Sequence, residues 1–168
     1  MSALFNTIFK PITEFLESPV KRCLFLVGIL ALIALVEFLS LGLARRTFVF
    51  YTISDGIIVV EDRMLKHSRT REGDIIRYVE ETLLGPVSPD LLPLIPRGVK
   101  LKSLLYRNGV VYADLSSEAA LPPAEGGKTK ENFQTFYNGI LRNFSFVKDV
   151  RFFIEGTSIY AGEFHREG

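Results

Sequence analysis

The chain has 168 residues, 48% of them hydrophobic and 23% charged, with a formal net charge of +1. That length suits one small domain plus a separate segment. A charge balance this even argues against nucleic acid, or an anionic membrane surface, as the main partner.

Residues 1–22 carry Phe5, Ile8, Phe9, Ile12, Phe15 and Leu16, spaced as one apolar stripe on a helix. Such a stripe lays the segment flat on the inner surface of a membrane. Pro11 sits inside the pattern and removes a helical hydrogen bond, so a kinked amphipathic helix and a loose cytoplasmic tail are the two readings.

Cys23–Leu43 reads CLFLVGILALIALVEFLSLGL, with Glu37 as its one charge. As a helix it crosses the ~30 Å hydrocarbon core of a bilayer. It is longer than the roughly 7–15 apolar residues of a cleaved signal peptide, and too apolar throughout for a buried core helix. The sequence therefore predicts an uncleaved transmembrane anchor. Lys10, Lys21 and Arg22 precede it and Arg45 and Arg46 follow, so charge alone barely orients the span. A short tail before it and a long domain after it predict a single pass, N-terminus inside and C-terminal domain outside a bacterial cytoplasmic membrane. Glu37 costs on the order of 2 kcal/mol there unless protonated or paired, so it contacts a partner helix or snorkels to the headgroups. Cys23 is the only cysteine, which leaves the downstream domain without a disulfide. The residues before it, Val20-Lys21-Arg22, do not form the small apolar box of lipid attachment.

Beyond Leu43 the chain has 17 Lys and Arg against 16 Asp and Glu. Thr47–Ile53 and Ile57–Glu61 are apolar runs around Ser54-Asp55-Gly56 and read as a β-hairpin. Asp62–Arg71 reads as a polar link. A helix follows from Glu72, with Ile75, Ile76, Val79 and Leu83 on one face and Gly85-Pro86 as its stop. Three prolines between Val87 and Gly98 exclude regular structure there.

Val99–Tyr106 and Val110–Leu115 form a second hairpin around Asn108-Gly109, with Val99, Leu101, Ser103 and Leu105 on one face. A second helix runs from Thr129. Its Phe133, Phe136, Tyr137, Ile140, Leu141 and Phe144 form an aromatic core-facing stripe. Val150–Glu155 is the last strand, closed by Gly156. The order ββαββαβ predicts an α+β domain with two helices on one face of a mixed sheet.

Four motifs stand in register with these elements: Leu83-Leu84-Gly85-Pro86, Ile95-Pro96-Arg97-Gly98, Asn108 to Ser116, and Phe146 to Val150 through Glu155-Gly156. Together with the order of elements they resemble the GerMN domain of bacterial sporulation and spore-germination proteins. The resemblance covers about residues 47–163 and sets the domain at 47–164. It implies a non-catalytic envelope module, present here as a single copy. Pro122-Pro123 departs from the glycine and serine usual in that loop, and a plain transmembrane helix replaces the lipid anchor of many relatives.

A catalytic site would draw on Asp114, Ser116, Ser117, Glu118, His67 and His165, but no Gly-x-Ser-x-Gly elbow exposes a nucleophile. Asp114 and Ser116 serve better as strand-end residues bonding loop backbone. Two distant histidines and Cys23 give no metal-ligand spacing. Gly126-Gly127-Lys128-Thr129 lacks the upstream glycine of a phosphate loop. The prediction is therefore no catalytic, cofactor-binding or metal residue, no enzyme activity and no cofactor. The partners expected are an envelope protein or copies of the chain itself, with the membrane met through Cys23–Leu43 and no nucleic acid. The alternative is an envelope glycan- or peptide-binding module with Tyr106 or Tyr160 as platforms.

Overall fold

The computed structural model describes residues 18–40, 42–54, 56–122 and 128–164. The stripe from Phe5 to Leu16, and His165, lie outside the described residues. The chain divides into two units, Met1–Gly42 and Leu43–Gly168.

In the first unit, α1 spans Pro19–Ser40, four residues earlier at its start than the apolar run suggested. Proline suits the first turn of a helix, where its missing N–H has no intrahelical acceptor. The window Pro19–Glu37 has a mean hydropathy of 2.2, and none of it is buried. Gly42 takes a left-handed φ of 48°, and by Leu43 the chain is already a strand.

The second unit opens with β1 (Leu43–Thr52) and β2 (Ile58–Lys66), paired antiparallel from Leu43 opposite Lys66 to Tyr51 opposite Ile58. The expected polar link is thus strand as far as Lys66. Its charges alternate across the pleat: Glu61 and Arg63 point inward with Leu65, while Asp62, Met64 and Lys66 face out. The helix α2 covers Arg71–Leu84, capped by the Thr70 hydroxyl on the Gly73 N–H and ended at Gly85 with φ 88°. The proline-rich stretch holds one two-residue strand, β3 (Leu91–Leu92), against Tyr51 and Thr52.

β4 (Leu101–Arg107) and β5 (Val110–Leu115) turn through Asn108 and Gly109, both at positive φ, 53° and 83°. A two-residue turn of that hand matches the twist of the strands it joins. The alternation read along β4 breaks at Lys102. Leu101 lies opposite Leu115 and Ser103 opposite Asp114, so Lys102 is an extra residue, a β-bulge. Beyond it Leu104 and Tyr106 turn inward and Leu105 is left 52% exposed.

A 3₁₀ turn, Ser117–Ala120, follows, then α3 (Thr129–Asn143), β6 (Asp149–Ile154) and β7 (Thr157–Ile159). β7 was not expected. Glu155 and Gly156, at φ 52° and 76°, return the chain in a tight hairpin.

The fold is α+β. Its strands form two sheets, β2-β1-β3 and β4-β5-β6-β7, rather than one, with β5 and β6 the parallel pair. One core joins them, from Phe48 and Phe50 in the first sheet to Val111, Ala113 and Phe152 in the second. Tyr78 of α2 sits at its centre, stacked on Phe48 at 4.7 Å and edge-on to Phe144 at 5.7 Å. Burial pushes its phenol well above the ordinary tyrosine range. The hydroxyl donates to the Thr47 carbonyl and lies over Gly139 of α3, where a Cβ would come within 2.5 Å of it. Asn143, at the end of α3, accepts from the Thr47 N–H at 2.9 Å and donates to the Thr47 carbonyl at 2.7 Å.

Candidate functional site

The polar residues at the end of β5 are engaged in holding loops. Asp114 accepts the Gly156 N–H at 3.0 Å, and the Ser116 hydroxyl accepts the Lys100 N–H at 3.0 Å. The Ser116 N–H returns a bond to the Lys100 carbonyl. Ser117 donates its N–H to Glu155, which pairs with Lys102. Hydrogen bonding from Ser116 holds the exposed Glu118 carboxyl below the usual carboxylate range.

His67 is at the other end of the domain, past β2, with Nδ1 3.0 Å from Asp74. Asp74 also accepts the Ser68 N–H. Burial is the largest single influence on Asp74 and opposes its charge, yet Ser68 and His67 together hold its carboxyl low. Ser116 and His67 are therefore not brought together. Lys128 pairs with Glu131, while Gly126 and Gly127 lie outside the described residues. Among the described residues no three His, Cys, Asp or Glu side chains gather as a metal site.

Tyr106 and Tyr160 are half-buried and committed to packing. Tyr106 donates to the Phe146 carbonyl and meets that ring edge-on. Tyr160, at φ 51°, leans on Phe133 and Phe164.

Sequence reasoning missed Arg63. Its guanidinium lies 4.8 Å from the Phe48 ring and 5.6 Å from that of Phe50. It donates to Glu61 at 2.8 Å, to Glu81 at 3.2 Å and to the Gly85 carbonyl at 2.8 Å. Glu61 in turn accepts the Val87 and Ser88 N–H groups. Burial opposes its charge most strongly, but these donors hold its carboxyl below the ordinary value. The hub fixes β2 to the end of α2 and the loop beyond. Its sequence signal was the inward alternation of Glu61, Arg63 and Leu65.

Among the described residues of the domain, exposed apolar side chains include two groupings. On the outer face of β2, Ile58 is 60% and Met64 59% exposed. An open groove of about 720 Å³ runs from Leu83 and Leu84 to Arg97 and Leu101, with Leu84 77% exposed. Surfaces of this kind suit association rather than chemistry.

A protein-family profile described as Germane, sporulation and spore germination, matches residues 49–160. The chain belongs to this family. The first GerMN domain of the sporulation protein GerM from Bacillus subtilis is similar in fold, at 20% identity and a TM-score of 0.50, over 70% of this chain and 86% of that one. The tandem GerMN domains of the same protein align at 18% identity and a TM-score of 0.49, over 70% of this chain and 41% of that one. No curated protein matches the chain. The Germane match takes in β2, the Arg63 hub, both helices and the second sheet, and stops at Tyr160. It begins inside β1, at Val49, so α1 falls outside it.

Proposed function

We propose that this Germane protein is a non-catalytic assembly module held at the outer face of a bacterial cytoplasmic membrane. On this reading α1 is a retained single-pass anchor with its N-terminus inside. The observation that carries the reading is a 22-residue apolar helix, unburied over Pro19–Glu37, that ends two residues before β1, the strand in which the Germane match begins. Confinement to a plane raises the effective concentration for weak lateral contacts, so modest patches suffice. The outer face of β2 and the groove beside Leu84 are the surfaces such contacts would use. Their partner is an envelope protein or a second copy.

Crosslinking in intact cells, with and without Met64→Asp and Leu84→Asp, tests it. Loss of a captured protein or self-adduct in these variants is expected, with membrane retention unchanged. A chain released by washing membranes in alkaline carbonate, or crosslinks indifferent to both substitutions, would overturn it. A second reading is binding of envelope glycan or peptide in the cleft of about 460 Å³ beside β6, which Tyr160 and Arg151 help to line. Sedimentation with purified cell wall, abolished by Arg151→Ala, would favour it.

A further inference from the structure

The near-zero net charge of the domain conceals an uneven distribution. Six exposed cations, Lys66, Arg69, Arg71, Arg107, Arg142 and Lys148, come from segments far apart in sequence. The topology brings them to one pole, the one where β1 begins. Lys66 lies opposite Leu43 in the ladder, and α3 ends against Thr47 through Asn143. The Arg71 guanidinium sits 4.9 Å over Phe146 at the head of α2. The Lys148 N–H bonds the Gly109 carbonyl at 2.7 Å, which brings Arg107 and the β4–β5 turn to the same end.

The acids of this pole are tied into the fold. Glu72 accepts the Tyr106 N–H at 2.8 Å, and Asp74 accepts that of Ser68 and faces His67. Asp149 takes the Val150 N–H and the Tyr137 hydroxyl and lies 3.4 Å from Arg151, and Asp62 pairs with Arg45. At the far pole cations and acids face each other instead, as Lys102 with Glu155, Lys128 with Glu131 and Lys130 with Glu163.

We propose that this basic pole docks on anionic phospholipid headgroups. The inference rests on the reading of α1 as a retained anchor. Only Leu41 and Gly42 separate the end of α1 from Leu43, the first residue of the pole. A link that short keeps the cations close to the lipid surface, where an anionic leaflet attracts each Lys or Arg within a Debye length, about 10 Å at 0.1 M salt. The even charge count argued against an anionic membrane as partner, because a sum over the whole domain has no direction. Docking here leaves β7 and the far pole directed away from the bilayer and open to other proteins.

The test uses the full chain in lipid nanodiscs of phosphatidylcholine alone, or with about one-third phosphatidylglycerol, read by amide hydrogen exchange. Exchange over residues 66–71 and 106–109 is expected to slow about tenfold in the anionic discs only. Residues 114–118 at the far pole should not change. The protection should vanish at about 1 M salt, where the Debye length falls to about 3 Å. It should vanish likewise in the combined variant Arg69→Glu, Arg107→Glu, Arg142→Glu, whose far-pole exchange reports an intact fold. Equal exchange in both discs, with the chain inserted, overturns the docking and leaves the anchor standing. A chain that enters neither disc overturns both. Protection by duplex DNA without any by anionic discs overturns it in favour of nucleic acid.

Discussion

Around α3, β5 and β6 the domain is held by rings: Phe133 and Phe136 of α3 each lie 5.2 Å from Phe152. Around β2 and the end of α2 it is held by one guanidinium, which joins Glu61, Glu81 and the Gly85 carbonyl beneath two phenylalanines. The rings are buried, whereas the hub is only partly so. Aromatic burial is non-directional and indifferent to pH, whereas the Arg63 hub works only while the Gly85 carbonyl stays in place and both carboxylates stay charged. The hub is therefore specific in geometry and conditional in strength.

Truncation within the apolar half has the largest expected effect. Phe136→Ala or Phe152→Ala should each cost about 4 kcal/mol in urea unfolding, since both residues are fully buried and leave a cavity. Arg63→Ala should cost about 3 kcal/mol, because it strands Glu61 without its cation. Combining Arg63→Met with Glu61→Gln should cost clearly less than the sum of the single changes. Strict additivity there would break the claim that the hub acts as a unit.

Where the halves meet, Gly139→Ala should destabilise by about 2 kcal/mol despite alanine's better helix propensity, because the new methyl meets the Tyr78 hydroxyl. Tyr78→Phe removes that oxygen, and the next ring atom lies at 3.6 Å, so the pair should regain most of the loss. Failure of that rescue would place the strain elsewhere.

The smallest expected effect is on pH. The folded state lowers the Asp74 and Glu61 carboxyls below their ordinary values. Their contribution is therefore complete above the ordinary carboxylate pKa, about 4, and is lost as pH falls through the lowered folded values. Asp74→Asn should cost about 1 kcal/mol at neutral pH and flatten that part of the acid unfolding curve. An unchanged curve would remove Asp74 from the account.

The apolar half was the legible one. The stripe from Phe133 to Phe144 repeats with the helix period, and Asn108-Gly109 announces its own turn, so α3 and the β4–β5 hairpin followed from local pattern. The Arg63 hub was hidden because charges inside a strand read as a link unless their partners, here Glu81 and Gly85, are known. The bulge at Lys102 reversed the facing of Leu105 by a single added residue, which alternation cannot foresee. The basic pole was the least legible, since its six cations are spread from residue 66 to residue 148 and only topology collects them. The absence of any catalytic constellation was an expectation from the same patterns. Asp114 and Ser116 are found bonding loop backbone, as their position at a strand end suggested.

Asn143 has a bearing on crowding. Its amide fills the two positions on Thr47 that a neighbouring strand would use, so it plugs the open side of β1 beyond the short reach of β3. If the chain is anchored as proposed, copies confined to one plane would meet edge to edge often, and this plug denies them that one seam. Among the described strands β2, β4 and β7 still end their sheets, so any pairing of copies through backbone is left to such edges.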